Sequence, residues 1–333
     1  MLELYIPNVE DMWFVQQMQE DPETMAYNAG WDVSYDGYHP DTGCIDFPES
    51  EWAEKHAWLV GHEPERFYAL ARLKSNGQFV GEVNFHYTPE EDWWDMGVLI
   101  HAPFRGRGCG HLALELLLRK AFEEYGITRL HNDFETTRDA GLAIHLAAGF
   151  SPFRTYHAMR FGKPIELQEL LMTREQYFAD RAELRIVTDP VEKERISSSV
   201  LADLPDWFGL PDSTANYVAQ SRNMPFWTME CRGEVLGFAA VKETGPRTAE
   251  VYVMGVRPQY HRFGIGKKLF SALRDHAAQH GYGFLQVKTV QTGHFAAYDR
   301  TNAFYKAMGF TELECFPDLW DAWNPCQIYI MQI

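Results

Sequence analysis

Long apolar runs are missing from this chain. No stretch approaches eighteen uninterrupted apolar residues, so no membrane-spanning helix is expected and a membrane partner is excluded. Cysteine is scarce: Cys44, Cys109, Cys231, Cys315 and Cys326 are odd in number, widely spread and include no Cys-x-x-Cys pair. Zinc-type spacing is absent, no metal site is expected, and a disulfide framework does not fit. A reducing cytoplasm is the simplest home. Basic residues are outnumbered as well, 30 Lys and Arg against 47 Asp and Glu, for a net charge of -17. That excludes a non-specific nucleic-acid binder, which needs excess cations to neutralise phosphates. The acidity suits a small cationic ligand, although solubility alone also accounts for it. The opening MLELYIPNVEDMW lacks the basic segment and apolar run of a signal peptide.

What is present reads as an ordinary globular composition, 46% hydrophobic and 23% charged. A chain of 333 residues is long for one core, so two domains are expected. Self-similarity supports that division. HAPFRGRGCGHLALELLLRKAFEEYG (101–126) and RPQYHRFGIGKKLFSALRDHAAQHGYG (257–283) each pass from a Pro through aromatic and basic residues to Gly-x-Gly, then an amphipathic helix, then Gly. Leu114, Leu117, Leu118, Ala121, Phe122 and Tyr125 form an apolar stripe at helical spacing, and Leu269, Phe270, Leu273 and Ala277 form a shorter one. Strands are predicted before each turn, DMGVLI and EVYVMGV, and after each helix, RLHNDFE and FLQVKTV. A further helix in each half closes on Gly149-Phe150 or Gly309-Phe310. Two motifs in one order at nearly one separation, twice in a chain, establish a duplication. The linker is placed near residue 180, after a helix carrying Leu167, Leu170, Leu171 and Phe178 and before a strand Glu183–Thr188.

A glycine turn opening a helix leaves backbone N–H groups free beside a positive dipole end, a setting for a phosphate or merely a tight corner. No Walker A loop or dinucleotide fingerprint is complete here. The arrangement of strand, Arg/Gln-x-x-Gly-x-Gly/Ala loop, helix, strand and closing Tyr-x-x-x-Gly-Phe helix resembles the GNAT (Gcn5-related) N-acetyltransferases, one module per half. Arg105-Gly106-Arg107-Gly108-Cys109-Gly110 fits the loop fully; His261-Arg262-Phe263-Gly264-Ile265-Gly266 departs at His261. The resemblance implies an α/β (α+β) fold of two tandem modules, 1–180 and 181–333, each a mixed, mostly antiparallel sheet flanked by helices and splayed to admit pantetheine.

It also implies acetyl-CoA as co-substrate, with its pyrophosphate on the turns Arg105, Gly106, Arg107, Gly108, Cys109 and Gly110 and His261, Arg262, Phe263, Gly264, Ile265, Gly266 and Lys267. Val98 and Ile100, and Met254 and Val256, would lie along pantetheine. Tyr298 stands where the family often has Asn. Glu250 matches the general-base position of several members and Tyr305 the general acid. A solvated strand-end carboxylate and a packed aromatic are the alternatives.

Acetyl transfer to an amine needs a base for the ammonium proton and a donor for the departing thiolate. By counting, the first half has Trp94 and His145 at those positions, with Asp95 on the opposite strand face and Glu82 as another carboxylate nearby. The expectation is therefore a catalytic C-terminal module and a non-catalytic N-terminal one, acting on a small, cationic primary amine. An acyl-CoA-binding sensor or scaffold is the other reading. FPDLWDAWNPC could line an acceptor pocket or pack as a C-terminal segment.

Overall fold

A seven-stranded sheet is built twice along this chain. The computed structural model describes residues 1–333 except Ser34 and Ala322, and it divides into two compact units, Met1–Tyr177 and Phe178–Ile333. The division falls inside a helix.

The first unit runs β1 (Leu2–Tyr5), α1 (Met12–Gln19), α2 (Pro22–Met25), α3 (Trp52–Leu59), β2 (Arg66–Leu73), β3 (Phe79–Thr88), β4 (Trp93–Ile100), α4 (Cys109–Arg119), β5 (Arg129–Glu135), α5 (Asp139–Ala148), β6 (Ser151–Arg160), β7 (Lys163–Thr173) and α6 (Arg174–Asp180). The second runs β8 (Glu183–Ile186), α7 (Pro190–Ala202), α8 (Pro205–Phe208), α9 (Pro211–Ser221), β9 (Phe226–Cys231), β10 (Glu234–Gly245), β11 (Thr248–Val256), α10 (Ile265–Gln279), β12 (Phe284–Val290), α11 (Ala296–Ala307), β13 (Thr311–Asp321) and β14 (Asn324–Gln332).

The strand orders are β1-β2-β3-β4-β5-β7-β6 and β8-β9-β10-β11-β12-β14-β13, the same order twice. Within each sheet one neighbouring pair is parallel, β4 with β5 and β11 with β12; the other pairs are antiparallel. A parallel pair needs a crossover, and the glycine-turn helix supplies it in both units.

Local chemistry sets the helix limits. Asp21 and Asp189 cap α2 and α7 by accepting from two backbone N–H groups each, with Pro at the first helical position. Gly149 at φ +106 and Gly309 at φ +100 take the left-handed backbone where α5 and α11 stop. The apolar stripes fall inside as their spacing predicts: Leu114, Leu117, Leu118, Ala121 and Phe122, and Leu269, Phe270, Leu273 and Ala277, are buried. On the other sheet face, Met12, Phe14, Met18 and Leu59 meet Tyr68 and Leu70 in the first unit. Ile196, Val200 and Leu201 meet Phe226, Phe238, Ala240 and Val253 in the second.

One sequence expectation fails here. Leu167, Leu170 and Leu171 belong to the strand β7, and only Phe178 lies in a helix, α6. The cause is a turn: Phe161 at φ +50 and Gly162 at φ +66 make a two-residue hairpin pairing Arg160 with Lys163, which fixes β7 as the return strand. The segment 316–326 packs down only at its end, with Pro325 and Cys326 buried. It forms much of the β13–β14 hairpin, with Leu319 and Trp320 exposed and Trp323 81% exposed; its Ala322 lies outside the described residues.

Candidate active site

Each glycine turn is shaped by two left-handed residues. These are Gly106 (φ +70) and Gly108 (φ +79) in the first unit, and Arg262 (φ +71) and Gly264 (φ +80) in the second. That backbone costs a non-glycine residue about 1 kcal/mol, so Arg262 is held in it by the surrounding turn. The loop's first residue braces the corner. Arg105 Nε donates to the Ile100 carbonyl at 3.1 Å, and His261 Nε2 donates to the Val256 carbonyl at 2.7 Å. Ile100 and Val256 are the last residues of β4 and β11, so His261 does the work of the arginine it replaces.

The earliest bonds within α4 and α10 run from Leu112 N to Gly108 O and from Lys268 N to Gly264 O. The N–H groups of residues 109–111 and 265–267 therefore point off the helix ends, where the dipole is positive. Cys109 and Ile265 are buried and anchor the first turn, whereas Arg107, Phe263 and Lys267 are exposed. Gly110 and Gly266 face Ile100 and Val256, so helix and strand lie close together. This donor set fits a pyrophosphate.

Beyond the turns the sheets part. β11 pairs with β12 only from Thr248 to Glu250, opposite Phe284 to Gln286. After that, Met254 and Val256 pair with β10 alone, and β12 pairs with β14 alone. In the first unit the parallel contact is Trp94 with Leu130 and Asp95 with His131, after which Val98 and Ile100 stay on β3. The strand edges beyond each fork, apart from the Ile100 and Val256 carbonyls that Arg105 and His261 hold, have no neighbouring strand on the slot side, as an amide-bearing chain such as pantetheine requires.

Glu250 stands at the fork of the second slot, 7% exposed. Lys288 Nζ donates to its Oε2 at 2.8 Å and Gln286 Nε2 donates to the same atom at 3.1 Å. Among the described residues neither bond falls on Oε1, which is left to accept. Gln286 and Lys288 were missed by the sequence reading, yet strand alternation in FLQVKTV puts both on one face. Tyr305 is 6% exposed, packed on Phe304 and Phe310. Burial, then the neighbouring Tyr217 and Tyr298, raise its phenol well above the usual range. No hydrogen bond holds its hydroxyl among the described residues. Tyr217 is pushed up to about 12 by burial, with Tyr252, Tyr298 and Glu250 adding to it, so these groups share one neighbourhood. Tyr298 donates to the Trp207 carbonyl at 2.7 Å, which ties α11 to α8.

The first-unit positions found by counting behave as structure. Trp94 packs at a tilt on Tyr87 and donates to the Pro64 carbonyl. His145 is 2% exposed, packed on Phe134 and Phe150 and bonded to the Gly141 carbonyl. Burial drives its pKa down to about 4, so it is neutral near pH 7.

Counting back from the glycines also mismatches the strands. β3 and β4 pair without a break from Gly81 with Ile100 to Thr88 with Trp93, whereas β10 and β11 shift by one between Ala240–Val253 and Val241–Val251. The bulge leaves Tyr252 as an extra residue. The fork partner of Glu250 in the first unit is therefore Asp95, not Trp94.

The comparisons follow the same division. A GNAT acetyltransferase domain model matches residues 2–151, and the GNAT acetyltransferase family model matches residues 194–310. The chain belongs to the GNAT acetyltransferase family. It is a tandem, two-module N-acetyltransferase of that family. Solved structures similar to it include a GNAT-family acetyltransferase from Bacillus anthracis, at 14% identity, covering 52% of this chain and 95% of that one, TM-score 0.42. An IAA acetyltransferase from Bacillus cereus shares 21% identity over 46% of this chain and 99% of its own, TM-score 0.37. A Vibrio cholerae spermidine N-acetyltransferase in complex with CoA and spermine shares 12% over 53% of this chain and 97% of its own, TM-score 0.44. No curated protein matches the chain. Among the described residues no helix is long and apolar enough to cross a membrane, and no group of three or more His, Cys, Asp or Glu could hold a metal ion.

Proposed function

We propose that this GNAT protein transfers acetyl from acetyl-CoA to a primary amine of a small cationic molecule, with Glu250 and Tyr305 of the C-terminal unit carrying the proton transfers. The observation that supports this reading most is a buried carboxylate at the fork of β11 and β12 and a buried phenol that both lie in the neighbourhood of Tyr217. Acetyl-CoA supplies a thioester-activated acetyl carbon. The amides of 265–267 and the turn at Arg262–Gly264 would take its pyrophosphate, and the free edge of β11 from Met254 to Val256 its pantetheine.

Within that frame the chain's own groups divide the work. Glu250 accepts the ammonium proton at Oε1, directly or through one water, while Lys288 and Gln286 fix the carboxylate through Oε2. Tyr305 keeps its proton because burial disfavours phenolate, so it can donate to the leaving sulfur. The net charge of -17 favours a cationic acceptor. A cytoplasmic setting fits the five cysteines, all free.

The test is calorimetric titration with acetyl-CoA and CoA, followed by free-thiol release across a panel of polyamines, aminoglycosides and simple amines. Amine-dependent thiol release is expected. Binding without release from any amine would make the protein an acyl-CoA-responsive binding module instead.

A further inference from the structure

The register of the two sheets places a second carboxylate where the first unit would need one. Gly81 and Gly237 each lie so close to the next strand that a Cβ would overlap a carbonyl, that of Leu99 or Gly255. They fix the same alignment in both sheets: Gly81 pairs with Ile100, and Gly237 with Val256. From there Phe238 corresponds to Glu82, Lys242 to His86, and Glu250 to Asp95. Asp95 and His131 are the last pair before β4 and β5 separate, as Glu250 and Gln286 are between β11 and β12.

The surroundings of Asp95 are ordered to an unusual degree. His131 Nδ1 donates to Asp95 Oδ1 at 2.6 Å, and the Thr88 hydroxyl donates to Oδ2. His131 is 6% exposed and lies flat on Trp93, ring centroids 4.2 Å apart at 10°. Its Nε2 faces Glu169 Oε1 at 3.5 Å, and Glu169, itself buried, is held by Arg154. Among the described residues neither His131 Nε2 nor Trp93 Nε1 has a hydrogen-bond partner. The imidazole is thus fixed in face and edge, yet the carboxylate it holds keeps 30% of its side-chain surface exposed. The next residue of β4 on that sheet face is Gly97, whose side-chain space is taken by the Asn84 amide from β3. Glu82 lies farther along the same face, bonded by Tyr68 at 2.5 Å.

We propose that the N-terminal unit is a second transfer centre, in which Asp95, positioned by His131, takes the proton from a cationic amine acceptor. The inference rests on the acetyl-CoA reading above but not on Glu250 or Tyr305. The acceptor ammonium gives one proton to the Asp95 carboxylate, directly or through a water. The amine nitrogen then bonds to the acetyl carbon, the carbon–sulfur bond breaks, and CoA leaves as a thiolate that is protonated to the thiol. The second proton shed by nitrogen balances that uptake. Asp95 suits an amine with a modest pKa, since hydrogen bonds from His131 and Thr88 outweigh burial and keep its carboxyl below the usual range. The titratable groups around it are His86 on β3 and His131 on β5, with Glu169 on β7 and Arg154 on β6 behind His131.

The experiment uses the full chain carrying Glu250→Gln and Tyr305→Phe, so that turnover from the C-terminal unit is suppressed. With acetyl-CoA and the amine panel, this chain should still release thiol with at least one amine. Adding Asp95→Asn should lower that release at least tenfold, with calorimetric acetyl-CoA binding unchanged. His131→Asn should leave KM for acetyl-CoA alone and move the acid limb of kcat to higher pH, because Asp95 loses the bond that lowers its pKa. Thr88→Val, nearly isosteric, should move it the same way and serves if Asp95→Asn fails to fold. The inference is overturned if the double variant binds acetyl-CoA but releases no thiol with any amine. It is equally overturned if well-folded Asp95→Asn retains release within twofold. Failure of the Glu250/Tyr305 assignment looks different: the double variant would then match the unmodified chain with every amine.

Discussion

Replacing Tyr305 by Phe separates a catalytic phenol from a packed aromatic. The ring stays in place between Phe304 and Phe310, so only the hydroxyl is lost. That hydroxyl has no hydrogen bond among the described residues, so no bond within the protein is broken by its removal. Losing a hydroxyl that bonds to nothing in the protein changes stability by about 1 kcal/mol at most. In a unit of this size that is a Tm change of about 4 °C at most. A general acid, in contrast, is worth about 100- to 10,000-fold in rate. In a chain that also carries Asp95→Asn, so that only the C-terminal unit is read, the expectation is therefore a kcat lowered at least tenfold, an acetyl-CoA affinity nearly unchanged, and a Tm within about 4 °C of the parent. Stopped thiol-release assays, calorimetry and a thermal melt measure the three. Because burial holds the phenol above its ordinary pKa, the unmodified enzyme should show no alkaline limb from this group below pH 10. A variant whose kcat stays within threefold would refute the assignment and leave Tyr305 as core.

Three other substitutions probe the same reasoning. Glu250→Gln keeps the shape and its bonding to Gln286 but cannot take a proton; turnover of the C-terminal unit should fall at least tenfold with acetyl-CoA binding nearly unchanged. His145→Ala should leave turnover almost intact while costing about 2–4 kcal/mol of stability through the cavity it opens, read in a melt at pH 7. It should also flatten acid sensitivity. The folded imidazole resists protonation until about pH 4 rather than 6.5, so stability complete above pH 6.5 is lost as pH falls, by about 3 kcal/mol at pH 4. Equal slopes from pH 7 to 4 in variant and parent would contradict that. Glu82→Gln should raise Tm at pH 7 more than at pH 4, because burial raises the Glu82 pKa and the folded state pays for ionisation as pH rises through it. An identical Tm change at both pH values would show that its burial carries no such cost.

Much of this protein was determined by its sequence alone, for local reasons. The glycine turns, the apolar helix stripes, and the strands Arg129–Glu135 and Phe284–Val290 follow from periodicity and from glycine's freedom at positive φ. The duplication is visible for the same reason, since both halves repeat one local pattern. What the tertiary structure decided is register. Nothing in EVYVMGV announces that Tyr252 bulges out of the ladder, yet that one residue moves the partner of Glu250 from Trp94 to Asp95. Strand faces alternate with a period of two, so an offset of one residue exchanges one sheet face for the other. The same holds for Leu167 to Leu171, whose spacing allows a helix until the Phe161-Gly162 hairpin makes them a return strand. Lys288 reaches Glu250, and His131 reaches Asp95, only because strands distant in the chain are hydrogen-bonded side by side. Such pairing depends on long-range contacts, which local sequence preference does not encode.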